Sequence, residues 1–325
     1  MTTDQTRRVI VDTDTAGDDT QALLMAGTSD RIDIEGVTVC AGNVEFDRQV
    51  ENAKYTLDLV GLADEVTVYE GARSPLQKEN EHVTDIHGDG GMGGDLFPDT
   101  GIPSGDEHAV DYIVETVREN PGEITLVCIA PLTNVALALQ KEPDLPDLVD
   151  EVWVMGGNAN CVGNVTPAAE YNFWVDPDAA SIVVSELDVT LFDWGLTVRD
   201  TVFDAETLTE IEDNSSAPLA EFFLTVSEQV RKYNRETVGA DQTTQPDSVL
   251  TAALVEPELI DESGTYYVEV DEREGLTRGY SAVDETGTTD GEPRTRVVES
   301  IDERLFERMF LEMLFEGSPD GALSG

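Results

Sequence analysis

Basic residues are scarce in this chain. Lysine stands only at Lys54, Lys78, Lys141 and Lys232, histidine only at His82, His87 and His108, and cysteine only at Cys40, Cys128 and Cys161. Against 19 Lys+Arg stand 68 Asp+Glu, a formal net charge of −49. A phosphate backbone needs a basic face, so nucleic acid is excluded as a partner, and an anionic membrane surface is disfavoured for the same reason. Three cysteines, odd in number and widely spaced, exclude a disulfide framework or a zinc site. They point to reduced, mostly buried thiols in a cytoplasmic protein. No apolar run nears the roughly 18 residues of a membrane span. The segment Met1 to Arg8 is polar and lacks the apolar core of a signal peptide. A surface so acidic and so poor in lysine suits a salt-saturated cytoplasm, where screening removes self-repulsion. A halophilic origin is therefore expected.

What is present is enough to build a large core: 325 residues, 40% of them hydrophobic. Short continuous apolar runs predict strands at Val9–Val11, Ile34–Val39, Val66–Tyr69, Ile124–Ile129, Val152–Met155 and Val189–Phe192. Helical patterns alternate with them, at Gln21–Gly27, Phe46–Val60, Ala109–Arg118, Asn134–Leu139 and Pro177–Ser185. Strands that are apolar throughout are those of a parallel sheet covered on both faces. The expected fold is α/β, a mostly parallel, Rossmann-like open sheet flanked by helices. Thr201–Val238 reads as helical, Tyr266–Val298 as strands and turns, and Ile301–Phe315 as a terminal helix. No repeat or low-complexity linker divides the chain, so a single domain over residues 1–325 is expected. Two loops, Gly71–Gly105 and Gly156–Glu170, are longer than connectors need and are expected to carry function.

The stretch Val9-Ile10-Val11-Asp12-Thr13-Asp14-Thr15-Ala16-Gly17-Asp18-Asp19 sets four carboxylates directly after the first core strand. Acidic pairs elsewhere, such as Asp261-Glu262, occur by chance in so acidic a chain. This cluster differs by its place, because ligands of open α/β sheets bind beyond the strand C-termini. Crowded carboxylates repel by several kcal/mol unless something positive sits among them, and a divalent cation with oxygen ligands is the simplest such partner. The other strand ends offer Gly42-Asn43, Glu70-Gly71, Ile129-Ala130, Met155-Gly156-Gly157 and Asp193-Trp194. No cationic residue stands among them, which favours a neutral, hydroxyl-rich ligand plus a hard cation over a phosphate. An Asp-x-Asp phosphatase would want Thr or Val where Ala16 stands. An EF-hand would want an oxygen ligand at Ala16 and Glu at Leu23. Neither explains Asp18-Asp19.

Taken together, the motifs resemble those of the inosine-uridine-type nucleoside hydrolases. The likeness begins with Val11-Asp12-Thr13-Asp14 and Asp18-Asp19. It continues through Gly42-Asn43, Ile86-His87-Gly88, Pro131-Leu132-Thr133-Asn134, Met155-Gly156-Gly157, Glu170-Tyr171-Asn172 and Asp176-Pro177, in the family's order and over most of the chain. The resemblance implies hydrolysis of ribonucleosides to free base and ribose. It implies a calcium ion held by Asp14, Asp19, Asp247 and the backbone carbonyl of Ile129, with Asp14 as the general base on a calcium-bound water. It implies that Asp18, Asn43, Asn164, Glu170, Asn172 and Asp247 hold the ribose, that Met155 lies against the sugar and that His87 sits near the base. A homodimer or homotetramer is also implied. The chemistry is consistent: departure of the base leaves an oxocarbenium-like ribosyl group that carboxylates stabilise, and a metal lowers the pKa of its water.

Two departures from the family pattern stand out. Ala16 replaces the proline of the signature. Pro246 stands where many members carry the histidine tied to protonating the leaving purine, which leaves Tyr233, Arg235 or His87 to assist the base, or bases that leave without strong protonation. Pro246 also motivates a second reading, a ribose- or nucleoside-binding protein with little hydrolysis. An Asp-x-Asp phosphatase is a third. Trp174 and Trp194 are expected in the core, and His82 and His108 at the surface.

Overall fold

A computed structural model describes residues 6–94 and 96–317. Met1 to Gln5, within the polar N-terminal segment, lie outside the described residues. The first half alternates as its apolar runs dictate: β1 (Arg7–Thr13), α1 (Gly17–Gly27), β2 (Ile32–Val39), α2 (Phe46–Leu59), β3 (Val68–Glu70), α3 (Thr84–His87), α4 (Ala109–Glu119), β4 (Ile124–Cys128), α5 (Thr133–Lys141), α6 (Leu145–Leu148), β5 (Glu151–Met155), α7 (Tyr171–Val175), α8 (Pro177–Glu186) and β6 (Val189–Phe192). There follow α9 (Trp194–Asp200), β7 (Val202–Phe203), α10 (Ala205–Asp213), α11 (Pro218–Thr237), β8 (Thr243–Thr244), α12 (Pro246–Val255), β9 (Ile260–Tyr266), β10 (Val268–Val270), β11 (Ser281–Val283), β12 (Thr295–Ile301) and α13 (Glu303–Glu316).

The main sheet has eight strands in the order β3-β2-β1-β4-β5-β6-β12-β9. Every pairing in it is parallel except β12 with β9. Strand order reverses beside β1, which pairs with β2 on one side and β4 on the other. That is the switch point at which open sheets place their ligands. The central strands are buried on both faces. Val9 and Val11 belong to one core layer and Ile10 to the other, so alternate residues of β1 feed opposite layers.

The sequence expectation for Tyr266–Val298 is incomplete. β9 already begins at Ile260, and β12 enters the main sheet between β6 and β9. The stretch expected to be helical from Thr201 is also broken. The side chain of Asp204 accepts from the N–H groups of Glu206 and Thr207 and starts α10, and Pro218 starts α11.

Candidate active site

The C-terminal end of β1 delivers Asp12, Thr13 and Asp14 to the switch point, and the chain then turns into α1. Ala16 N–H donates to Asp19 Oδ2 at 3.1 Å, and the Thr13 hydroxyl donates to Asp19 Oδ1 at 2.6 Å. Asp18 and Asp19 thus occupy the first turn of α1, where unpaired N–H groups and the helix dipole favour negative charge. The neighbouring loop locks the turn. Gly17 N–H donates to the Gly91 carbonyl at 2.8 Å, and Asn52 Nδ2 donates to the carbonyls of Thr15 and Gly90 at 2.9 and 2.8 Å. Gly91 has φ 80°, a left-handed conformation that side chains avoid.

Asp12 and Asp14 alternate in direction along the strand. Asp12 Oδ1 accepts from Thr38 Oγ1 at 2.6 Å and Asn134 Nδ2 at 2.8 Å, which ties β1 to β2 and α5. It braces the loop, and burial pushes its carboxyl up to about 7. Asp14 is fully buried; its Oδ2 accepts from the Asn43 N–H at 2.7 Å, and its Oδ1 has no hydrogen-bond partner. Burial first, and then the charge of Asp19, lift the Asp14 carboxyl well above the usual carboxylate range. Asp19 is lifted to about 7 by burial and by Asp18, although Thr13 and Ala16 donate to it.

Asp247 arrives from a helix far along the chain that shares a core layer with α1. Pro246 occupies the first turn of α12, an element that packs on α1, and so sets Asp247 at a second helix N-terminus facing the first. Carboxylate oxygens of Asp18, Asp19 and Asp247 lie within 4.8 Å of one another. Asp247 is buried, and burial together with Asp18, Asp19, Asp14 and Glu170 raises its carboxyl well above the usual range. Asp18, expected at the sugar, thus belongs to this trio, whereas Asp14, expected among the cation ligands, is not one of its members. Ile129 follows β4, and its N–H donates to the Asp12 carbonyl at 2.9 Å.

The remaining polar residues border this group. Asn43 Nδ2 donates to Asp19 Oδ2 at 3.4 Å. Glu170 caps α7, accepting from the N–H groups of Asn172, Gly157 and Phe173 at 2.8, 2.8 and 3.3 Å, and burial lifts its carboxyl to about 7. Asn172 Nδ2 donates to the Met155 carbonyl at 3.2 Å and lies 3.7 Å from its sulfur, so β5 and α7 share one edge of the site. By contrast Asp176 accepts from Thr133 and Leu76 and caps α8; it is structural.

A cleft of about 110 Å³ opens from Asp18 toward α11. That is room for several waters or the ring that displaces them. His87 lines it, with Nδ1 4.0 Å from Asp18 Oδ1; burial pulls the imidazole pKa down and Asp18 opposes this. Asn164 lines it from the exposed loop before α7. Trp194, expected in the core, is half-buried and forms part of the wall. The opposite wall comes from Phe223, Val226 and Val230 of α11, with Gln21 and Gln245 as polar members. Sequence reading missed all five, because an inward helix face has the same period whether it meets core or ligand. Tyr233 and Arg235 do not line the cleft; Tyr233 is exposed and Arg235 pairs with Asp241 at 2.9 Å. Among the described residues no lysine or arginine lines it.

Comparisons with known proteins agree with this geometry. The plant nucleoside hydrolase structure superimposes with a TM-score of 0.87 at 29% identity, over 95% of this chain and 99% of that one. The purine-preferring ribonucleoside hydrolase of Gardnerella vaginalis gives 0.87 at 29%, over 97% and 100%. In sequence, the pyrimidine-specific ribonucleoside hydrolase RihB of Escherichia coli O157:H7 is 32% identical over 301 residues, 92% of this chain and 94% of that one. The probable uridine nucleosidase 2 of rice is 34% identical over 281 residues, 85% and 82%. The family model for inosine-uridine preferring nucleoside hydrolases matches residues 9–308, so an acidic cluster at the sheet's switch point and near full-length likeness agree: the chain belongs to that family and is a nucleosidase, hydrolysing ribonucleosides to free base and ribose.

Proposed function

We propose that Asp14 is the general base of this hydrolysis, taking the proton of the water that attacks C1′ of the ribosyl group. The observation that carries the reading is Asp14 Oδ1, fully buried and without a hydrogen-bond partner, on a carboxyl that feels the charges of Asp19 and Asp18. A buried acceptor without a donor is costly to keep, which marks it as a group awaiting a partner. The acidic group fits a divalent cation, and its donors are all oxygens, which favours calcium over zinc. Asp14, Asp19, Asp247 and the Ile129 carbonyl would hold it, with Asp18 at its border. Bound there, the cation supplies charge that lowers the pKa of water.

The protein's own groups divide the rest. Asn43, Asn164, Glu170 and Asn172 surround the ribose hydroxyls with Asp18 and Asp247, and Met155 lies against the sugar. Orientation of this kind is worth several kcal/mol. The same carboxylates face the positive charge that develops on the ribosyl group as the base departs. His87, held neutral by its burial, offers one N–H toward the base.

Asp14→Asn keeps size and shape and removes the base. Its expected turnover, followed as release of free base in high KCl, is about 10²- to 10⁴-fold below the parent, with the melting temperature retained. Full activity in that variant would refute the assignment. We further propose a single-domain, cytoplasmic, halophilic enzyme that works as a homodimer or homotetramer. Support comes from the net charge of −49 and from Cys40, Cys128 and Cys161, all free thiols. The molecular mass in molar KCl tests the assembly.

A further inference from the structure

The cleft contains one polar group that the ribose and cation reading leaves unused. Gln21 lies one turn beyond Asp18 on the same face of α1, about 5 Å further along the helix. It is 1% exposed and lines the cleft, yet it precedes the wholly apolar run Ala22-Leu23-Leu24-Met25-Ala26. Its amide orientation is fixed by chemistry. The Thr20 hydroxyl donates its single proton to the Gly17 carbonyl and can therefore only accept from its neighbour. Gln21 Nε2 donates to that hydroxyl at 3.0 Å. The carbonyl end is what remains, and Oε1 is buried without any partner. A leucine would pack this position and leave no acceptor unsatisfied, so an amide here has a stability cost that a donor reaching it from the cleft would recover.

We infer that Gln21 Oε1 accepts a hydrogen bond from an N–H group on the edge of the nucleobase and so determines which bases the enzyme cleaves. This rests on the ribohydrolase reading above. Asp18, one turn earlier, lies on the sugar side. The walls beyond it, Trp194, Phe223 and Val226, are apolar and suited to the faces of a ring. The donor is a ring N–H, as in uracil and hypoxanthine, or an exocyclic amino group, as in cytosine and adenine. An acceptor with no proton to give cannot protonate the leaving base, so Gln21 is a specificity residue.

The test compares the parent enzyme with Gln21→Leu on uridine, cytidine, adenosine and a p-nitrophenyl riboside, whose leaving group has no N–H. The ratio of kcat/KM for the responsive nucleoside to kcat/KM for the nitrophenyl riboside is expected to fall about tenfold or more in the variant. A fall for uridine alone identifies the ring N–H; a fall for cytidine or adenosine alone identifies the amino group. Gln21→Glu, which keeps an acceptor, should retain more of the ratio than Gln21→Leu. If both variants keep the parental ratios, or lose activity equally on all substrates, Gln21 does not read the base and the inference is overturned. A parent enzyme that cleaves neither nucleosides nor the nitrophenyl riboside would overturn the ribohydrolase reading itself, and this inference with it.

Discussion

Cation binding should stabilise this protein strongly at pH 8 and hardly at all at pH 5. With carboxylate oxygens of Asp18, Asp19 and Asp247 within 4.8 Å of one another, Coulomb's law gives about 3.5 kcal/mol for each ionised pair at an effective dielectric constant near 20, and three pairs come to about 10 kcal/mol. That is comparable to the whole net stability of a domain, about 5–15 kcal/mol. Without a cation the protein relieves the repulsion by keeping protons. Asp19 titrates at about 7, and Asp14 and Asp247 sit well above the usual carboxylate range, burial being the first cause in each. These pKa values are raised by folding, so the stability these groups contribute to the cation-free protein is fullest below about pH 4 and is lost as pH rises through about 7. A cation reverses the dependence, because it binds the ionised carboxylates and must displace their protons. At a hundredfold excess over Kd at pH 8 it contributes about 2.7 kcal/mol. An unfolding entropy of roughly 2.1 cal/mol/K per residue converts this, for 325 residues, to a rise of about 4 °C in Tm. At pH 5 the Asp19 proton alone weakens binding about a hundredfold, and the same cation concentration gives under about 1 °C. Calorimetry with calcium or a chelator, at fixed molar KCl, measures both shifts. Equal shifts at pH 5 and pH 8, or a shift that survives in Asp19→Asn, would refute the reasoning.

Other outcomes follow from particular contacts. A Cβ at Gly42 would sit 1.9 Å from Asp14 Oδ2, so Gly42→Ala must displace the proposed base; turnover should drop at least about a hundredfold with the circular dichroism spectrum unchanged, and an active variant would show that Asp14 tolerates the shift. Phe310 is fully buried and meets Phe203 and Phe223 edge-on, with ring centroids 4.8 and 5.5 Å apart. Phe310→Ala should cost about 3–5 kcal/mol in urea unfolding and raise KM, because Phe223 is part of the cleft wall. Finally, a net charge of −49 should make the urea midpoint rise with KCl, since the screening length shortens from about 10 Å at 0.1 M to about 3 Å at 1 M. A midpoint indifferent to salt would contradict the halophilic reading.

The parallel half of the sheet is legible in the sequence because each strand is apolar on both faces. The runs around Val9–Val11 and Ile124–Ile129 cannot be solvated on either side. β9 gave no such signal. Its sequence, Ile-Asp-Glu-Ser-Gly-Thr-Tyr, is largely exposed at the sheet edge, and its polar centre reads as a turn. Its partner β12 lies some 30 residues away, a pairing that no local pattern encodes. The site divides in the same way. Asp14, Asp18 and Asp19 are contiguous and announce themselves. Asp247 reaches them only because α12 packs on α1, and its assignment came from family likeness. Gln21 was visible as a polar residue before an apolar run, but only the commitment of the Thr20 proton to Gly17 shows which end of its amide is free.

The two ends of the cleft are unequally equipped, and this bears on how the glycosidic bond breaks. In the proposed arrangement Asp14, Asp18, Asp19, Glu170 and Asp247 form the ribosyl side and would face the charge that forms at C1′. On the base side Pro246 carries no proton, Tyr233 lies exposed outside the cleft, and Arg235 is bound to Asp241. His87 remains, with its pKa lowered by burial, so near neutrality it donates a hydrogen bond without delivering a full positive charge. On that proposal, stabilisation of the transition state would fall mainly on the sugar, with the base departing as a hydrogen-bonded, delocalised anion. In such a site a substrate gains little from a basic ring nitrogen and much from a polar edge that the cleft wall can hold. The two-sidedness also gives Pro246 a positive role. As the first residue of α12 it fixes the helix start that presents Asp247, so the chain strengthens the ribosyl side at the position where a histidine would have served the base.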